Sequence, residues 1–154
     1  MATSDNIQYL SAAAGDVNTS SRRVVETYLC GSTVTAGGVI AAGDWVQFET
    51  AATDGIEGIT VIKAGTASLG NALVAGVALE AGTVVGARIK VVIRGYVADA
   101  NVATAVSAGT ALTVDTPAGR GVAAVAADHT HTCGVAVGNA AANKCDVIVF
   151  GIQH

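Results

Sequence analysis

The chain has 154 residues, with eight Lys and Arg against twelve Asp and Glu and a formal charge of −4. That length fits a single domain with a real core, and its basic residues are scattered apart from Arg22 and Arg23, so no nucleic-acid-binding face is expected. Charged residues make up 13% and aromatics 4% while hydrophobic residues reach 51%, so the apolar content is small Ala and Val, a composition of thin strands whose outer surface neighbours must partly cover.

Mean hydropathy is +0.54, which raises the question of a membrane span. The uncharged stretch 64–79 is broken by Gly65, Gly70 and Gly76 and carries Thr66, Ser68 and Asn71. A spanning helix needs about 20 mostly apolar residues, so strands and turns are expected here and no membrane partner. The start, Met1-Ala2-Thr3-Ser4-Asp5-Asn6, has neither a basic region nor an apolar core, so no secretory leader is expected. Cys30, Cys133 and Cys145 are odd in number and follow no recognised spacing; they read as buried small hydrophobes in a reducing compartment.

In chain order, residues 1–23 are polar and small, with Ile7, Tyr9 and Leu10 as the only sizeable apolar group, and are expected to form an arm. The segment 24–30 is β-branched and aromatic-bearing and predicts the first strand. Trp45-Val46-Gln47-Phe48-Glu49 alternates strictly, with Val46 and Phe48 on one face and Trp45, Gln47 and Glu49 on the other. Trp45 therefore serves either a second core face or an interface, and it is a candidate anchor for the latter. A further strand is expected within 56–63, interrupted at Gly58. In 88–94, Ile89, Val91 and Ile93 oppose Arg88, Lys90 and Arg94, the pattern of a half-buried antiparallel strand. Alanine-rich 100–108 and 138–143 are long enough for a turn of helix. Asp115-Thr116-Pro117-Ala118-Gly119 carries the single proline and signals a turn.

The carboxyl-terminal half repeats the middle. Gly76-Val77-Ala78-Leu79 returns as Gly134-Val135-Ala136-Val137, and Ala41-Ala42-Gly43-Asp44 as Ser107-Ala108-Gly109-Thr110. The run 88–95 is matched by Lys144-Cys145-Asp146-Val147-Ile148-Val149-Phe150-Gly151. In this second run Cys145, Val147 and Val149 point inward and Asp146, Ile148 and Phe150 outward. Where the first copy is basic outside, the second is apolar, so its outer face calls for a cover. The prediction is an all-β fold, a small barrel or sandwich built from pseudo-repeats at about 34–95 and 105–151 within a domain spanning 24–154, preceded by the arm at 1–23.

No catalytic set emerges. There is no nucleophile elbow, Asp54 and Glu57 flank Gly55 in a turn, and the glycine-rich stretches lack the strand–turn–helix context of a phosphate loop. His129, His131 and Cys133 share one face of an extended segment, with Cys145 as a conceivable fourth ligand, but the spacing matches no closed zinc site. No enzyme activity, metal or cofactor is expected.

The run Val34-Thr35-Ala36-Gly37-Gly38-Val39-Ile40-Ala41-Ala42-Gly43-Asp44-Trp45-Val46, followed by Gly76-Val77-Ala78-Leu79-Glu80 and Arg88-Ile89-Lys90-Val91-Val92-Ile93-Arg94-Gly95, resembles the small capsid decoration, or cement, proteins of tailed bacteriophages. The similarity covers roughly 34–151. It implies a β-tulip-like, non-enzymatic domain made in the host cytoplasm and carried on the outside of the virion. There it would bind the major capsid protein, usually as a homotrimer, and brace the lattice against internal pressure. The arm and the segment 128–133 depart from the shorter members. On this reading Ile7, Tyr9, Leu10, Trp45, Ile148 and Phe150 are the candidate oligomer or capsid contacts. The rival is a head-fibre or tail-spike module binding host glycans, which calls for exposed aromatic platforms that so few aromatics supply poorly.

Overall fold

Strands form where the sequence alternates, and Gly or Ala-Gly pairs separate them. The computed structural model describes residues 23–32, 38–50, 58–65, 73–115, 118–124 and 131–150. Its strands are β1 (Arg23–Cys30), β2 (Trp45–Phe48), β3 (Thr60–Lys63), β4 (Val74–Ala78), β5 (Arg88–Asn101), β6 (Ala111–Asp115), β7 (Arg120–Ala123), β8 (Gly134–Ala136) and β9 (Lys144–Val149). No α-helix occurs among the described residues, and the alanine-rich stretches 100–108 and 138–143 are strand end, bridges and turns. The arm, with Ile7, Tyr9 and Leu10, lies outside the described residues.

The first strands run in the order β1-β3-β2-β4-β5, and β1 pairs back onto β5, closing a five-stranded barrel. Closure removes the sheet edges that would otherwise template association. The order then continues β5-β9-β8-β6-β7. A parallel bridge from Val102 to Gly121 ties β7 back to the chain leaving β5.

The second set repeats the first pairing for pairing. Hairpin β2–β3 corresponds to β6–β7, β2–β4 to β6–β8, β4–β5 to β8–β9, and antiparallel β1–β5 to β5–β9. The parallel β1–β3 contact corresponds to the Val102–Gly121 bridge. Val91 faces Ala78 across the strands as Val147 faces Ala136. Turn hydrogen bonds recur too: Gly43 N–H to Ala78 O and Gly109 N–H to Ala136 O are both 2.8 Å. Likewise Ala64 to Trp45 and Ala124 to Ala111 are both 2.9 Å. The repeat thus takes in β1 and the second half of β5. The 14-residue β5 serves both units, closing one barrel and opening the next.

Two glycine pairs explain why the motif survives in both copies. Gly43 and Gly109 have φ of 89° and 81°, conformations an L side chain resists. At Gly76 a Cβ would collide with the Val92 carbonyl oxygen, and at Gly134 it would lie 2.6 Å from the Ile148 carbonyl oxygen. Gly-Val-Ala therefore marks the point where the neighbouring backbone comes closest.

The core has two parts. Inside the first barrel, Tyr28, Cys30, Ile40, Val46, Val61, Ala75, Ala78, Ile89 and Val91 pack together. The second gathers Leu112, Val114, Ala136, Cys145, Val147 and Val149 of the second unit, and it also takes Trp45, Val77 and Val92 from the outer face of the first. Strands β2 and β4 are consequently apolar on both faces. The expectation of Trp45 as an exposed anchor is corrected here, since the indole is 0% exposed. It projects towards Gly121 and Gly134 of the second unit, where added Cβ atoms would sit 2.9 Å and 3.0 Å from the ring. Its N–H donates to Asn101 O at 3.1 Å. The cover its face requires is the other half of the same chain.

Replacing Trp45 by Ala should cost about 3–5 kcal/mol in denaturant unfolding. Gly134→Ala, which adds a single methyl against backbone and indole, should cost about 1–3 kcal/mol.

Candidate interaction surface

The carboxylates that the fold buries, Asp44 and Glu49, brace its loops. Asp44, in the Ala-Gly-Asp turn, is 3% exposed. Its carboxylate accepts the Ala41 N–H at 2.8 Å and the Asn101 side-chain amide, and pairs with Lys63 Nζ at 2.9 Å. One side chain so fastens the turn to β3 and to the end of β5. Glu49 is also buried and accepts the Ser32 N–H at 3.2 Å and the Ser32 hydroxyl. Among the described residues the two buried carboxylates, Asp44 and Glu49, are thereby occupied in bracing loops. The second unit has Thr110 where Asp44 stands, and the Thr110 N–H to Ser107 O bond of 3.1 Å still closes the equivalent turn.

The thiols are likewise engaged. Cys133 Sγ donates to Leu112 O at 3.3 Å and Cys145 Sγ to Gly138 O at 3.0 Å, and all three cysteines are free and buried. Burial pushes the Cys133 thiol from its ordinary value near 9 up to about 12, because the thiolate would sit in apolar surroundings. Among the described residues no three His, Cys, Asp or Glu side chains are grouped to hold a metal ion; His129 lies outside them. A cavity of about 160 Å³ opens at the seam of the two units, beside Gly43, Leu79, Asp99 and Lys144. The Lys144 ammonium there leans towards Ala42 O at 3.5 Å.

What the chain offers outward is apolar strand surface. Strand register lines up Ala111, Val135, Ile148 and Tyr96 across β6, β8, β9 and β5. Ile148 is 40% and Phe150 38% exposed, while Val147 and Val149, which alternate with them, are buried. The parity read for this strand places these two side chains outward. Tyr96 is held by its hydroxyl, which donates to Asp146 Oδ2 at 2.7 Å. That bond, then partial burial, raises its pKa. Burial first, and the bond to Glu26 second, raise the pKa of Tyr28. Val137, 48% exposed, follows Ala136 at the end of β8. The importance of Asp44, Lys63 and Asn101 to the turn was not evident from the sequence, because the partners are distant along the chain.

The architecture is that of two fused, topologically equivalent β units sharing one long strand. A solved structure with a related fold is the N base of the head fiber gp8.5 of bacteriophage phi29. The alignment has a TM-score of 0.53 and 17% identity, and covers 85% of this chain and 98% of that one. No protein-family profile matches the chain, and no curated protein matches it in sequence.

Two outcomes follow from the buried polar groups. Asp44→Asn removes the charge from three contacts and should lower unfolding stability by about 1.5–3 kcal/mol. The raised Cys133 value contributes stability that is whole below about pH 9 and is lost as pH rises towards 12, because the unfolded chain ionises first. Denaturation midpoints should therefore fall above pH 9, and less so in Cys133→Ala. Native thiol titration should find the three cysteines unreactive until the chain unfolds.

Proposed function

We propose that this chain is a structural protein of a tailed-phage head, a decoration protein that sits on the outer surface of the capsid and binds the major capsid protein. The observation that supports this most is the two-unit fold shared along most of both chains with the base of a phage head fiber. Low charge and an outward row of Ala111, Val135, Ile148 and Phe150 suit a protein that is finished by its neighbours. Stabilisation of a head by such a protein needs no catalysis. A ligand that binds only the closed shell raises its stability by mass action, and many weak sites on a symmetric lattice add. Self-association as a homotrimer, with Ile148 and Phe150 in the contact, belongs to the same reading.

The neighbour's place in a head fiber favours a second reading, in which the chain is the seat of a head fibre rather than a brace. The two differ in what binding does to the head. Purified protein added to heads assembled without it should pellet with them saturably and raise their thermal disruption temperature. Ile148→Asp should weaken pelleting at least tenfold while leaving the isolated fold within about 0.5 kcal/mol, as for an exposed site. Saturable binding with no change in head stability would favour the fibre seat. Failure to bind heads at all would refute both.

A further inference from the structure

Both units carry the same cross-strand row on their outer faces, and among the described residues only the first row is covered. In the first unit it runs Trp45, Val77, Val92, all without exposed surface because the second unit lies over them. Its counterpart runs Ala111, Val135, Ile148. Here Ala111 is exposed and Val135 half-buried, with Ile148 and Phe150 open to solvent. The fold thus shows what this face does when occupied, and leaves its second copy bare.

A strip of so few side chains presents on the order of a few hundred Å². That is short of the ~800 Å² per partner that a stable pair of folded surfaces needs. An extended peptide suits it better, since alternate side chains of a strand-like segment fall on one face. The chain supplies such a segment in Ile7 and Tyr9, followed by Leu10, within an otherwise small and polar stretch. Twelve residues separate Leu10 from Arg23, a reach of up to ~40 Å when extended. The arm joins the fold at Arg23, which pairs with Gly95 on one flank of β5, while Val149 pairs with Gly95 on the other. Its point of attachment is therefore across β5 from the bare row of its own chain, so the row of an adjacent copy is the one proposed to receive it.

We propose that the arm segment carrying Ile7, Tyr9 and Leu10 seats on the Ala111, Val135, Ile148 and Phe150 face of an adjacent copy, so that exchanged arms hold the oligomer together. This rests on the self-association put forward above, and not on attachment to a head.

The full-length protein, free of heads, tests it. With Tyr9→p-benzoylphenylalanine, irradiation should give covalent oligomers whose linked peptides fall in 110–112, 133–137 or 144–150. Ile148→Asp, or Ile7→Ser with Leu10→Ser in the arm, should cut that yield at least tenfold, whereas Val84→Asp, on the exposed loop after β4, should not. Links confined to one chain, links to other segments, or a yield indifferent to Ile148→Asp would overturn the proposal. Light scattering on the same samples separates the two readings. An oligomer without these links overturns arm exchange alone, and a monomer at all concentrations overturns self-association with it.

Discussion

The insertion of Trp45 into the second unit is the contact on which the rest of the molecule depends. In a closed five-stranded barrel the outer face of β2 would ordinarily meet water. Here Trp45, Val77 and Val92 are all fully buried on that face, and the second unit makes room for the indole with Gly121 and Gly134. Gly121 occupies the place that Val61 holds in the first barrel, by the equivalence of the Val102–Gly121 bridge with the Cys30–Val61 pair. The side chain that the second barrel omits is thus replaced by one supplied from the first. A single aromatic of this size buries more area than any one valine in its place would, which matters in a chain with so few aromatics. It also makes the two units one cooperative body rather than two beads.

Fusion of repeated units has a structural consequence. Each unit brings an outer row of the same geometry, but a linear pair can cover only one of them. The first row has Trp45 and is sealed. The second has Ala111 in the same place, smaller and flatter, and remains at the surface. Charge follows the same division: Arg88, Lys90 and Arg94 project from the first half of β5 and are exposed, whereas β9 projects Ile148. A surface organised this way is directional, with charge projecting from one unit and an apolar row from the other.

Much of this was legible in the sequence because the repeat is enforced by backbone geometry. Gly76 and Gly134 stand where the adjacent carbonyl allows no Cβ, and Gly43 and Gly109 where φ is positive, so these positions kept their identity while the side chains around them changed. The alternation in 144–150 also read correctly, since one face is buried and the other open. Three features were not legible. The strand at 88–94 runs on past Gly95 to Asn101; a glycine that looks like a stop has φ of 104° and lets the strand pass from one core to the other. Trp45 was assigned by parity to a face opposite Val46, which is right, but parity cannot tell whether a distant segment covers that face. The Asp44 cluster draws Lys63 and Asn101 from other strands, and no local pattern announces it.

The chain is all-β and of low charge, its first barrel is closed against edge pairing, its second unit keeps one apolar row open, and its fold is related to that of the N base of a phage head fiber. The most direct measurement is cryo-electron microscopy of heads that carry this protein. On the proposed reading, copies should stand on the outer surface, each with Ala111, Val135 and Ile148 covered by an adjacent chain and Trp45 sealed inside its own. Isolated copies with that row facing solvent, or heads bearing no density for the protein, would contradict it.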